Sequence, residues 1–77
     1  MISFIKMQAI GNDFIIINTI AEKFRYNYWD SSKFLCNRKF GVGADGVIFI
    51  EKGEIEEYKM RIFNQDGSEA RDVWEWH

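Results

Sequence analysis

Apolar residues recur along this chain in short bursts, and no uninterrupted run exceeds four residues. Residues 2–7 alternate loosely and are rich in Ile and Phe; Gly11, Asn12 and Asp13 break the pattern, and residues 14–18 follow as a short apolar run. This predicts a strand, a turn and a second strand buried on both faces. Asp30 or Ser31 is suited to cap a helix, Leu35, Cys36 and Phe40 fall near one helical face, and Gly41 stands where a helix C-terminal glycine belongs. A short helix is therefore expected over about residues 31–39. Residues 47–51 are β-branched and apolar, again strand-like. After a charged turn over residues 53–57 comes the clearest period-two signal, with Tyr58, Met60 and Ile62 on one face and Lys59, Arg61 and Phe63 on the other. Asn64, Gln65, Asp66 and Gly67 supply hairpin chemistry, and residues 68–70 begin a return strand. The order is β-β-α-β-β with a further short strand just starting. It predicts an α+β layer in which one helix packs on a mainly antiparallel sheet.

Composition narrows the picture. The 77 residues, 47% hydrophobic and 17% aromatic, argue against intrinsic disorder and have the size of one small domain. A formal charge of −2 carries no polybasic footprint, so no nucleic-acid partner is expected. Cys36 is the sole cysteine and His77 the sole histidine, which excludes an internal disulfide framework and leaves no Cys/His set for zinc. With apolar runs this short, no transmembrane span or signal-peptide core is expected, and the expected location is the cytoplasm.

Taken locally, the candidate chemistry is modest. Residues 41–46, Gly-Val-Gly-Ala-Asp-Gly, have the glycines of a phosphate loop, but they follow a helix and precede a strand. That reverses the order that aims amides at a phosphate, so a flexible connection with several positive-φ positions is expected instead. Asn12 in the first turn and Asn64 before the Asp66-Gly67 pair suit turn roles. Cys36 has no helix N-terminus or histidine beside it in the sequence, which favours a packed, inert thiol over a nucleophile.

The segments taken together are more specific. Lys6-Met7 with Gly11-Asn12-Asp13-Phe14, then Leu35-Cys36-Asn37-Arg38 running into Phe40 and the glycine-rich turn, then Met60-Arg61-Ile62-Phe63-Asn64 and Asp66-Gly67-Ser68-Glu69-Ala70, resemble in order the amino-terminal part of diaminopimelate epimerase. The resemblance runs from Met1 to Ala70. It implies an isomerase of lysine and peptidoglycan-precursor biosynthesis that interconverts LL- and meso-diaminopimelate without pyridoxal phosphate, another cofactor or a metal. It also implies two similar halves with the substrate between them, one cysteine from each half flanking the α-carbon. By the same resemblance Asn12 and Asn64 match asparagines that bind polar groups of the substrate. Another isomerase of the same two-half fold is the nearest alternative, which the Gly-Asn-Asp-Phe segment and the run through Glu69-Ala70 disfavour. A non-catalytic module that self-associates through exposed sheet edges is the alternative of a different class.

After Ala70 the sequence departs from the family pattern. There the family continues, after one or two residues, into Met-Cys-Gly-Asn-Gly, whose cysteine is catalytic; here Val73 occupies its place and supplies no proton-transfer group. By this resemblance residues 1–70 are expected to form an incomplete amino-terminal half-domain and residues 71–77 an aberrant tail, with the second domain expected to be absent. Arg71 to His77 back-translates, with permitted codons, as AGA GAT GTG TGG GAA TGG CAT. Read one nucleotide later, the same letters encode Glu-Met-Cys-Gly-Asn-Gly. A one-nucleotide frameshift is therefore expected to underlie the tail with its two tryptophans, Trp74 and Trp76, and the fragment is expected to be catalytically incompetent.

Overall fold

The computed structural model describes residues 3–21 and 23–70. Its elements are strands β1 (Ile5–Ala9) and β2 (Asn12–Asn18), helix α1 (Tyr28–Cys36), and strands β3 (Gly46–Lys52), β4 (Tyr58–Asn64) and β5 (Glu69–Ala70). The strands form one sheet in the order β1-β2-β3-β4-β5. All adjacent pairs are antiparallel except β2 and β3, which run parallel because α1 carries the chain back between them. The expected α+β architecture with one helix on a mainly antiparallel sheet is what the chain adopts.

Central position explains the composition of β2 and β3. Ile15, Val47 and Phe49 are fully buried on the face that receives α1, joined by Ile17, Cys36, Ala44 and Phe63, with Phe24, Tyr28 and Leu35 packed against them. Burying each large side chain of this set contributes roughly 1.5–3 kcal/mol. Tyr28 stacks on Phe49 with ring centroids 3.8 Å apart, and Phe63 meets both rings edge-on at 5.5 Å. The opposite face carries a smaller cluster of Phe14, Ile62 and Ala70, flanked by Ala9 and Ile48. The alternation expected in β4 is thus realised, with Ile62 on the helix-free face and Phe63 beneath the helix.

The helix differs from expectation at both ends. It starts at Tyr28, capped by Asn27, whose side chain accepts from the Asp30 amide; Asp30 is an acid of the first turn rather than the cap, and Ser31 is also internal. Starting earlier lets Tyr28 reach Phe49. The helix ends at Cys36 with Asn37 as cap, so Phe40 lies beyond it and is 76% exposed instead of sharing the buried face. Nor is Gly41 a left-handed terminator. The chain folds back over the helix end so that the amides of Val42 and Gly43 donate to Leu35 O and that of Ala44 to Cys36 O. These bonds supply partners to the last helical carbonyls, which have none within the helix. A Cβ at Gly41 would overlap the Phe34 carbonyl oxygen, so close approach is what requires glycine there. Within this connection only Gly43 has positive φ, and Gly43, Ala44 and Gly46 are buried, so the segment is a packed corner rather than a flexible one.

The first turn also sits differently from expectation, whereas the second lies where the sequence places it. Ala9 pairs with Asn12, which places the first turn on Ile10 and Gly11, with φ of 56° and 78°; Asn12 and Asp13 belong to β2. At the second, the Gly67 amide donates to Asn64 O, Gly67 has φ 93°, and the Asn64 amide donates to Ser68 O at 2.7 Å. This is a three-residue hairpin loop with its left-handed position on glycine. Ser32 is fully buried in α1, and its hydroxyl has no hydrogen-bond partner among the described residues, an arrangement that costs about 1–3 kcal/mol. Val73, Trp74, Trp76 and the rest of the tail lie outside the described residues.

Candidate functional site

The starts of β2 and β3 and the end of β4 meet at one end of the sheet. Phe14 pairs with Gly46 and Gly46 with Asn64, so these three residues form a row across β2, β3 and β4. Side chains directly opposite one another share a face and residues two apart along a strand do likewise. Asn12, Phe14, Asn64 and Ile62 therefore all belong to the helix-free face. With strands about 4.8 Å apart, the backbones of Asn12 and Asn64 are separated by on the order of 10 Å. Gly46, between Phe14 and Asn64, contributes no side chain to that row. The two asparagines are thus brought to the same end of the same face, each half-buried.

Each is held by local bonds. The Asn12 side-chain amide donates to Ile10 O at 3.4 Å. The Asn64 side-chain amide donates to Ser68 Oγ at 3.0 Å, and Ser68 Oγ donates onward to Asp66 Oδ1 at 2.6 Å. Asp66 Oδ1 also accepts the Ser68 amide at 2.9 Å, so Asp66 rather than Asn64 closes the side-chain turn of this hairpin. Those bonds from Ser68 hold the Asp66 carboxyl below its usual range. Trp29 and Lys33 of α1 pack against Gly67 and brace the loop from the helix side.

A second brace ties the two turns of this end together. The Asp13 amide donates to Asp45 Oδ2 at 2.8 Å, and the Asp45 amide donates back to Asp13 O at 2.9 Å. Arg38 reaches the other oxygen of Asp45 at 3.4 Å. The glycine-rich corner therefore fixes the start of β2, a role that local sequence reasoning missed because the partners are 32 residues apart.

Cys36 lies on the other face of the sheet from the two asparagines. It is buried in the helix-side core, and burial pushes its thiol up to about 11, with the charge of Asp45 adding to the effect. It is a packed neutral thiol, as expected. Another polar assembly occupies the helix side. Arg61 forms a bidentate pair with Glu69 at 2.8 and 2.9 Å, lies 5.1 Å above the Tyr28 ring and approaches Glu51 at 3.7 Å; Tyr28 Oη donates to Glu51 at 2.7 Å. A groove of about 360 Å³ lined by Asn27, Tyr28, Trp29, Arg61 and Phe63 lies beside it, on the helix side of the sheet. Among the described residues no helix is long and apolar enough to cross a membrane, and no three His, Cys, Asp or Glu side chains are grouped to hold a metal ion.

Comparison with known proteins gives one family. The diaminopimelate epimerase family model matches residues 4–72. Diaminopimelate epimerase of Carboxydothermus hydrogenoformans is 44% identical over 69 residues, covering 87% of this chain and 25% of that relative. The enzyme of the same name from Caldanaerobacter subterraneus subsp. tengcongensis is 48% identical over 67 residues, and that from Synechococcus sp. strain JA-3-3Ab is 49% identical over 70. These alignments cover 87% and 90% of this chain but 23% and 25% of the relatives. The chain spans about a quarter of the length of the curated relatives it matches.

Proposed function

This chain belongs to the diaminopimelate epimerase family, and we propose that it is the amino-terminal portion of an isomerase that interconverts LL- and meso-diaminopimelate without a cofactor. In this reading a thiolate removes the α-proton from one face of the substrate carbon, and a thiol on the opposite face returns a proton with inversion. Asn12 and Asn64 contact polar groups of the substrate. The observation that carries the reading is their convergence: two asparagines 52 positions apart share one face and one end of the sheet, across the side-chain-free position of Gly46.

Neither thiol of that mechanism comes from the described residues. Cys36 faces the helix-side core, and its neutral, desolvated sulfur is unsuited to take a proton near neutral pH. We assign the missing thiol to the codon run read one nucleotide out of frame at Val73, and residues 1–70 to an incomplete half-domain whose partner half would close the cleft. The 77-residue chain by itself is accordingly incompetent. Following α-proton exchange of diaminopimelate in deuterated water should show only the background rate; exchange well above background overturns the assignment. Sequencing the locus tests the frame: codons that do not spell Met-Cys-Gly-Asn-Gly when shifted by one exclude it.

A second reading is supported by the apolar helix-free face, where Ile5, Met7 and Met60 are 67%, 44% and 59% exposed. In that reading the face recruits another copy and the chain is a self-associating module.

A further inference from the structure

We propose that Asp66 and Ser68 are positioning residues that set which end of the Asn64 amide faces the ligand. Resting on the assignment of Asn64 to substrate binding, the proposal deepens it by fixing the polarity of the contact. A serine hydroxyl has one proton to donate. That of Ser68 goes to the Asp66 carboxylate over 2.6 Å, a short charge-assisted bond, so Ser68 Oγ has only lone pairs left for Asn64. The Asn64 side chain must then turn its nitrogen toward Ser68, as the 3.0 Å contact shows. Its carbonyl oxygen points the other way. An asparagine amide is close to symmetric in shape and rotates by half a turn at little steric cost, so without the relay both ends would be offered. With it, the site presents an acceptor, and the ligand group it fits is an N–H donor such as an ammonium; a carboxylate oxygen there would meet another lone pair.

The relay is anchored on three sides. The Ser68 amide also donates to Asp66, the Asn64 amide donates to Ser68 O, and Trp29 and Lys33 pack beneath Gly67. Asp66 and Ser68 themselves need not touch the ligand.

The experiment uses the ¹⁵N-labelled 77-residue chain, the variants Ser68→Ala, Ser68→Thr and Asp66→Asn, and two probes: meso-diaminopimelate, and pimelate, which has the same carbon chain and carboxylates but no ammonium. In the parent chain the Asn64 side-chain NH₂ should show one slowly exchanging, hydrogen-bonded proton and respond to diaminopimelate but not to pimelate. Ser68→Ala should abolish that protection and weaken the diaminopimelate response about twofold, the cost of selecting one of two equally offered amide orientations. Ser68→Thr, which keeps the hydroxyl, should restore both, and Asp66→Asn should fall between. Unchanged Asn64 side-chain signals in Ser68→Ala overturn the relay, as does an equal response to pimelate. Hydrogen exchange at the Gly67 and Ser68 main-chain amides separates positioning from loss of the turn: positioning leaves it unmoved, and a parallel loss in Ser68→Ala and Ser68→Thr overturns the proposal. If the Asn64 amide is Ser68-dependent yet no resonance responds to diaminopimelate, the relay stands and the assignment to substrate binding fails.

Discussion

Ile10 is the residue whose backbone least suits its side chain. A β-branched residue at φ 56° puts its Cβ against the neighbouring carbonyl, which costs roughly 1–2 kcal/mol. The position is also 61% exposed, so little packing offsets that strain. Because Ile10 and Gly11 form a two-residue turn in which both have positive φ, asparagine is the suited occupant of the first place. Ile10→Asn should therefore stabilise the chain by about 1 kcal/mol, read as a higher urea midpoint with an unchanged slope; a lower midpoint would show that the Ile10 side chain contributes more than its exposure suggests. The same residue shows why the turn was misplaced by one position from sequence. Gly11-Asn12-Asp13 is the best local turn chemistry, but the strand pairing decides, and pairing Met7 with Phe14 puts Ala9 opposite Asn12. Asn12 was legible as a candidate only through motif resemblance, since its local chemistry suits a turn equally well. Asp45, whose bond to Asp13 spans the chain, left no local trace at all.

At the scale of elements, what was legible followed from period. The alternation in β4 survives intact because each of its faces meets a distinct environment, aromatic rings below and aliphatic side chains above. The start of α1 was misjudged because Asp30 and Ser31 are good caps locally, whereas the stacking of Tyr28 on Phe49 extends the helix one turn upstream to Asn27. β5 is the element with least support, two residues paired with β4 and tied by the Arg61–Glu69 ion pair. Hydrogen bonding from Arg61 is the main reason the Glu69 carboxyl lies below its usual range, and Glu69 in turn raises Arg61 further. A carboxylate lowered in the folded state contributes stability above its unfolded value, near 4.3, and loses it as pH falls through the folded one. Protection of the Ala70 amide, taken relative to the intrinsic exchange rate at each pH, should accordingly fall as the pH drops below about 4, ahead of protection in β2 and β3. In Arg61→Ala that amide should lose its protection at every pH, with a global cost of about 1 kcal/mol because the pair is partly exposed to solvent. Equal exchange in parent and variant would mean that main-chain pairing alone holds β5.

The whole molecule is lopsided. On one side of the sheet, α1 and the segment around Phe24 cover a core rich in aromatic rings. On the other, Phe14, Ile62 and Ala70 form a small cluster surrounded by Ile5, Met7, Tyr58 and Met60, each more than 40% exposed. A length of 77 residues suggests a small complete domain, yet the helix covers only one face of the sheet and apolar side chains on the other stay exposed. Period-two alternation announces that both faces of β4 are apolar in part, but alternation says nothing of what lies opposite a face, so the missing layer was not legible from pattern. Relatives about four times as long as this chain hold ample sequence to supply one. In the isolated chain, other copies are the available cover. Such a face should draw molecules together, helped by the outer edge of β1, where Ile5, Lys6, Met7 and Gln8 are all exposed and which pairs with no further strand among the described residues. Sedimentation of the 77-residue chain should then show a weight-average mass that rises with concentration. The double substitution Ile5→Lys with Met60→Lys places charges at two exposed positions of that face and leaves the helix-side core untouched, so it should restore the monomer without lowering the urea midpoint. A parent chain that stays monomeric at every concentration would show that the open face is tolerated in water, and association that persists in the double variant would move the contact to the sheet edges.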